Sequence, residues 1–224
     1  MKQVNVPEHS KNRCSAGVDY TLYLVTDREL MTADTIEECV EQAILGGCTV
    51  VQLREKTVSS SEFFQTALRV REITARLGVP LIINDRADIA LAVDADGLHI
   101  GQDDLPYEAA RRIIGQNKII GISAHNLSEA KTAAEMGADY IGVGAMFATG
   151  TKTDADPTDI NELRRIREAV KIPMVAIGGI NKNNVTYLTD TGIDGIAVVS
   201  AIVAEQDITG AARNLKALFK GGYL

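Results

Sequence analysis

Polar side chains able to handle phosphate and a divalent cation recur in this sequence at one kind of place, directly behind short apolar runs. They are QLREK at 52–56, NDR at 84–86, GQDD at 101–104, SAH at 123–125, ATGTK at 148–152, GG at 178–179 and VS at 199–200. Gln52, Arg54 and Lys56 are spaced two apart, so on a strand they share one face while Glu55 points the other way. An amide and two cations on one face suit a polyanion such as a diphosphate, with Arg54 as a fork and Lys56 as a point charge. A solvated, charged strand end has the same spacing. Asp85 and Asp104 each follow an apolar run, and Mg²⁺ takes one or two carboxylates together with phosphate oxygens and water. The same acids can instead cap helices, one running through Leu91 and one beginning near Pro106. Asn84 adds an uncharged donor beside Asp85.

Gly178 and Gly179, with Val199 and Ser200 behind the next apolar run, match the place where parallel barrels build a phosphate site from backbone amides. A tight turn alone also asks for paired glycines. Thr149, Gly150, Thr151 and Lys152 form a hydroxyl-rich segment able to close over a substrate, with two hydroxyls for one phosphate and a lysine for a second anion. Ser123 can bond a heterocycle or cap a helix. His99 lies within an apolar run and reads as a satisfied core imidazole, His125 follows a run and can face a site, and His9 sits near the N-terminus. No histidine pair has metal-ligand spacing, and no Ser-His-Asp order forms a triad.

The elements that must position these groups alternate. Apolar, β-rich runs span Thr21–Thr26, Val50–Arg54, Leu81–Asn84, Gly97–Ile100, Ile119–Ser123, Tyr140–Gly144, Met174–Ile177 and Gly195–Val199. Helical spacing fills Thr35–Leu45, Ser60–Leu77, Leu127–Met136, Asp159–Val170 and Asn183–Thr191. Continuous apolar strands alternating with helices predict parallel βαβ units, and this length accommodates eight, a (β/α)₈ barrel of the α/β class. The echo among AILGGCTVVQL, AAEMGADYIGVG and LTDTGIDGIAVVS supports closure; an open, doubly wound sheet is the alternative. Thr35, Ser128 and Asp159 are the expected N-caps, each shortly before a glutamate, and Gly46, Gly78, Gly137 and Gly192 the expected C-terminal glycines. We expect an N-terminal tail over residues 1–18 and a single barrel domain over 19–224.

Thirty Asp and Glu against 23 Lys and Arg leave a net charge of −7. That balance argues against nucleic-acid and anionic-membrane partners, whose affinity comes from clustered cations, while still allowing a local cationic site for a small anion. Cys14, Cys39 and Cys48 lack CxxC spacing, which suits reduced thiols. The N-terminus lacks the apolar stretch of a secretory signal, and no run reaches the ~18 residues of a membrane span. These features predict a cytoplasmic protein acting on small molecules, with a homo-oligomer left open.

The ordered motifs YLVTDREL, VQLREK, LIINDR, DGLHIGQDD, GISAH, GADYIGVGAMFATGTK, VAIGGI and DGIAVVSAI, from Tyr23 to Ile202, resemble those of thiamine-phosphate synthases. The resemblance implies a barrel enzyme that couples two phosphorylated heterocycles, a hydroxymethylpyrimidine diphosphate and a thiazole phosphate, with Mg²⁺ and release of pyrophosphate. By it, Gln52, Leu53, Arg54, Glu55, Lys56, Asn84, Ser123 and Lys152 line the pyrimidine diphosphate site, and Arg54, Lys56, Ser123 and Lys152 carry the catalysis. Asp85 and Asp104 hold Mg²⁺, while Thr149, Gly150, Thr151, Gly179, Val199 and Ser200 bind the thiazole phosphate.

Three rivals share parts of this pattern. A related thiazole tautomerase would use His125 for proton transfer and needs neither a diphosphate site nor a metal. Sugar-phosphate and indole-type barrel enzymes explain the terminal phosphate site but give QLREK, NDR and GQDD no purpose. A noncatalytic ligand sensor would keep the pocket without turnover.

Overall fold

The computed structural model describes residues 17–148 and 159–221. The expected tail at 1–18 falls almost wholly outside these residues, as do His9, Cys14 and the Thr149, Gly150, Thr151 and Lys152 segment. Eight parallel strands close on themselves: β1 (Leu22–Val25), β2 (Val50–Leu53), β3 (Leu81–Asn84), β4 (Gly97–Ile100), β5 (Ile119–Ala124), β6 (Tyr140–Val143), β7 (Met174–Ile177) and β8 (Gly195–Val198). The pairing of β1 with β8, Leu24 opposite Val198, excludes the open doubly wound sheet. A (β/α)₈ barrel is therefore the fold.

Strand alternation divides the apolar residues between two cores. Tyr23, Val25, Val50, Ile82, Ile119, Tyr140, Val175 and Ala197 fill the barrel interior. Leu22, Leu24, Val51, Leu53, Leu81, Ile83 and Leu98 face outward into the layer beneath the helices. Every strand is covered on both sides, which is why each reads as a continuous apolar run rather than an alternating one.

The outer layer comprises α1 (Ile36–Leu45), α2 (Ser60–Leu77), α3 (Ala87–Ala92), α4 (Tyr107–Ile114), α5 (Leu127–Met136), α6 (Ile160–Ala169), α7 (Ser200–Val203) and α8 (Ile208–Phe219). Thr35 and Asp159 cap α1 and α6 through side-chain oxygens, as expected. The cap of α5 is Asn126 rather than Ser128: its side chain accepts the Glu129 N–H at 3.0 Å, and Glu129 returns a carboxylate oxygen to Asn126 Nδ2 at 2.7 Å. The reciprocal bond needs a spacing of three to the glutamate, which Asn126 has and Ser128 lacks. The helix expected over Asn183–Thr191 shortens to a 3-10 turn at Val185–Leu188. Asn181, Asn183 and Asn184 bond one another's backbone and side chains there, a local alternative to an α-helical ladder. Gly46 ends α1 in right-handed geometry, not left-handed; a Cβ there would stand 2.4 Å from the Thr209 carbonyl oxygen, so the glycine serves close packing of α1 on α8.

Candidate active site

The C-terminal ends of the strands open into one cavity lined by Gln52, Arg54, Lys56, Asn84, Asp85, Asp104, Ser123, Gly179, Val199 and Ser200. Ten of the positions singled out from the sequence thus converge at one rim. Two do not: the Leu53 side chain is fully buried in the outer core, and the Glu55 carboxylate turns away to meet Arg28 at 2.8 Å with only 2 % of its side chain exposed. Both follow from the strand's alternation, which sends Gln52 and Arg54 inward and their neighbours outward. Only the main chain of Leu53 and Glu55 can take part at this rim.

One side of the cavity carries the charges. Lys56 Nζ meets Asp85 Oδ2 at 2.5 Å, and the Arg54 guanidinium approaches Asp27 at 3.4 Å. The Arg54 N–H donates to Thr26 Oγ1 at 2.9 Å, which fixes the strand end from which the side chain leaves. Asp104 Oδ2 accepts the Gly101 N–H at 2.7 Å, so this acid holds its own loop, and α4 begins without a side-chain cap. Asp85 caps nothing either, since α3 begins behind Arg86 without a side-chain cap. Asp85 instead has φ of 61°, a left-handed conformation that few residues other than Gly, Asn and Asp adopt. Burial, and then the neighbouring Asp104, raise the Asp85 pKa above the ordinary aspartate value despite the opposing effect of Lys56. Two acids from adjacent strand ends thus crowd each other around a small polar space.

The opposite side is a backbone surface. Gly179 has φ of 66°, and its carbonyl accepts the side-chain amides of Asn181 at 3.1 Å and Asn184 at 2.9 Å. Those two bonds pin the β7 loop with the glycine at the cavity wall. Beside it, behind the neighbouring strand β8, Val199 and Ser200 open α7; the Ile202 and Val203 N–H groups donate to the Val199 carbonyl at 3.0 Å, which leaves those of Ser200 and Ala201 as the outermost donors of the helix. A side chain on Gly179 has no room: its Cβ would lie 2.6 Å from the Ala148 oxygen and 2.7 Å from the Phe147 oxygen. Gly179→Ala is therefore expected to weaken binding of a phosphate ligand on this side at least about tenfold, the loss of one to two hydrogen bonds, while sparing ligands of the charged side. Calorimetry with each ligand checks it, and equal affinities for wild type and variant would disprove the cradle.

Between the two sides lies a floor that sequence reasoning passed over. Tyr23, His99, Tyr140, Gly142, Val175, Ile177 and Ala197 also line the cavity. His99 is satisfied, as expected of a core imidazole, with Nδ1 2.8 Å from Tyr140 Oη and Nε2 3.0 Å from Ser123 Oγ. The signal that could have exposed this floor is Gly121 in β5, directly opposite Tyr140 in register. A Cβ at Gly121 would come within 2.0 Å of the tyrosine ring, so the small residue makes room for the large one. His125 reaches the cavity from behind β5, its Nδ1 2.9 Å from Glu129. Among the described residues no cluster of three or more His, Cys, Asp or Glu side chains could hold a metal, so the candidate cation site is the pair of carboxylates.

Residues 22–202 match the family described as thiamine monophosphate synthase. The chain belongs to this family. Among its relatives, the thiamine-phosphate synthase of Clostridium beijerinckii is 60 % identical over 199 residues, covering 89 % of this chain and 95 % of that protein. The synthase of Chloroflexus aurantiacus is 57 % identical, covering 90 % and 93 %. The solved thiamine phosphate pyrophosphorylase of Pyrococcus furiosus superposes with a TM-score of 0.85 at 41 % identity, over 91 % of this chain and 97 % of that one. A 3-hexulose-6-phosphate synthase, at 16 % identity and a TM-score of 0.63, shares the barrel fold alone. Membership of the thiamine monophosphate synthase family agrees with the cavity: charges gathered on one wall and amides on the other.

Proposed function

We propose that this chain is a thiamine-phosphate synthase, joining 4-amino-2-methyl-5-(diphosphooxymethyl)pyrimidine to 4-methyl-5-(2-phosphooxyethyl)thiazole, or its 2-carboxy form, and releasing pyrophosphate. The observation that carries the reading is the facing of Arg54, Lys56, Asp85 and Asp104 against the Gly179 and Ser200 backbone in one cavity, within a member of this family. In the step proposed, the bond between the exocyclic carbon and the diphosphate oxygen breaks and the electron pair leaves with the diphosphate. The thiazole nitrogen lone pair then forms the new C–N bond; with the plain thiazole no proton changes hands, and with the 2-carboxy form CO₂ is also lost and C2 takes a proton from water. Arg54 and Lys56 donate to the oxygens on which charge accumulates, and Asn84 and Gln52 add uncharged donors. Lys152 is assigned the same task from the segment outside the described residues, and Thr149, Gly150 and Thr151 there are assigned to the thiazole phosphate.

Mg²⁺ fits the carboxylate pair. Two aspartates crowded so that one holds its proton more tightly are a site where a divalent cation relieves repulsion, and oxygen donors in this number match its preference for keeping water and phosphate ligands. When bound, the ion would supply charge neutralisation at the leaving diphosphate. Asp85 and Asp104 would hold it, with Lys56 swinging from Asp85 to the diphosphate. The free, buried thiols of Cys39 and Cys48 suit a reducing, cytoplasmic setting. Among the described residues no helix is long and apolar enough to cross a membrane.

The test incubates both heterocyclic phosphates with Mg²⁺, follows thiamine phosphate and pyrophosphate, and omits each substrate and the metal in turn. Synthesis should require all three; turnover of a thiazole alone would favour the tautomerase chemistry that His125 and Glu129 could support. A second readout needs no activity. Mg²⁺ at about a hundred times its Kd should stabilise the wild type by about 2.7 kcal/mol, seen as a rise in Tm. The Asp85→Asn/Asp104→Asn variant should show no such rise, and equal shifts in both proteins would remove the carboxylates from the site.

A further inference from the structure

The floor of the cavity carries a continuous run of hydrogen bonds that links side chains from five strands. Gln52 Nε2 donates to Tyr23 Oη at 2.8 Å. Tyr23 Oη lies 2.7 Å from Tyr140 Oη, Tyr140 Oη 2.8 Å from His99 Nδ1, and His99 Nε2 3.0 Å from Ser123 Oγ. Ser123 is the last member and lines the same cavity as Arg54 and Asn84.

A chain of hydroxyls and one imidazole can run in either direction, and which way it runs decides what it offers a ligand. The Gln52 end settles it. Tyr23 is 1 % exposed, and among the described residues its hydroxyl has two hydrogen-bond partners, of which the Gln52 amide nitrogen is already a donor. Its own hydrogen is therefore directed to Tyr140 Oη, since pointing it elsewhere would leave a buried O–H unpaired. Burial foremost raises the pKa of both tyrosines, so each keeps a hydrogen to pass on. Tyr140, accepting from Tyr23, must donate to His99 Nδ1. His99 must then carry its hydrogen on Nε2 and donate it to Ser123 Oγ. Ser123 has accepted one bond, and its own hydrogen is turned outward into the cavity.

We propose that Tyr23, Tyr140 and His99 are positioning residues that hold His99 as the Nε2–H tautomer and aim the Ser123 hydroxyl as a donor at a lone pair on the ligand. On the synthase reading above, on which this part rests, that lone pair belongs to a ring nitrogen of the aminopyrimidine. The same wiring discriminates against a ring that presents an N–H at this point, because two donors would then face each other.

The test separates the wiring from the activity. In full-length, ligand-free protein with ¹⁵N-labelled histidine, His99 is assigned by the signal lost in His99→Asn. It should show a pyridine-like Nδ1 and a pyrrole-like Nε2 resonance. Tyr140→Phe removes the donor to Nδ1 and should shift the His99 signals toward a tautomer mixture, and Tyr23→Phe, which removes the bond that sets the direction of the Tyr140 hydroxyl, should shift them the same way to a smaller extent. A hydrogen on Nδ1 in the wild type, or an unmoved His99 spectrum in folded Tyr140→Phe, overturns the proposal. In the coupling assay Tyr140→Phe and Ser123→Ala should each raise KM for the pyrimidine diphosphate about tenfold, a hydrogen bond's worth, with the thiazole KM unchanged. The double variant should be no worse than Ser123→Ala, and additive losses would break the link between the two residues. A wild type without synthase turnover would sink the functional reading and leave the tautomer result standing.

Discussion

Asp85→Asn/Asp104→Asn is expected to lower kcat/KM for the diphosphate substrate by at least about a thousandfold at low Mg²⁺, since removing one electrostatic stabiliser of a developing charge already costs ~10²–10³. The substitution is mild in every other respect. Asparagine accepts the left-handed backbone that Asp85 adopts at φ 61°, and in place of Asp104 it would retain an amide oxygen to accept the Gly101 N–H. The fold should even gain slightly without metal. A carboxyl whose pKa is raised on folding favours the fold while protonated and loses that advantage as the pH climbs through the raised value, so at neutral pH ionised Asp85 opposes folding. Asparagine abolishes that opposition, which is what remains after the Lys56 ion pair has already offset part of it. A metal-free Tm no lower than wild type, with coupling nearly gone, is thus the expected pair of results in a melting curve and a steady-state assay. Wild-type turnover at low Mg²⁺ would strip both acids of their role.

The contrast between legible and illegible parts of this molecule has a physical source. Strands covered on both faces must be apolar throughout, so β2 and β7 stood out in the chain, and the groups just past their ends could be named as site residues. The two-residue period also predicted that Glu55 would turn from the face of Arg54, as its contact with Arg28 bears out. Closure of the sheet was different in kind: the pairing of Leu24 with Val198 joins opposite ends of the sequence, and only the echo among the βα units pointed to it, without excluding an open sheet. The cap of α5 departs from the expected Ser128 because Asn126 also carries a side-chain oxygen and only the offset to Glu129 separates the two. Asp85 and Asp104 had the same ambiguity, and it took the fold to show that neither caps a helix. The tyrosine and histidine floor was least visible. Tyr23, His99 and Tyr140 sit mid-strand among apolar neighbours, where a polar aromatic reads as packing, and their bonds run sideways across the barrel between residues as far apart as Tyr23 and Tyr140.

Arg54→Ala should lower kcat/KM for the pyrimidine diphosphate about a hundredfold, the scale of one lost charge-assisted contact to a developing anion, while affinity for the thiazole phosphate stays within about twofold. The asymmetry follows from geometry. Arg54 stands on the charged wall with Lys56 and Asp85, whereas the thiazole phosphate is assigned to the Gly179 and Ser200 backbone across the cavity. Little stability is at stake: the guanidinium meets Asp27 at 3.4 Å with 27 % of its side chain exposed, an ion pair worth at most about 1 kcal/mol. The Arg54 N–H bond to Thr26 survives in alanine, so the strand end keeps its course. Arg54→Lys should recover only part of the loss, because an ammonium restores the charge without the two-pronged fit to neighbouring phosphate oxygens. Titration calorimetry with each substrate separately, beside steady-state rates for the three proteins, reads all of this. Equal losses for both substrates would contradict the division of the cavity into a charged wall and an amide wall, and full recovery with lysine would reduce Arg54 to a point charge.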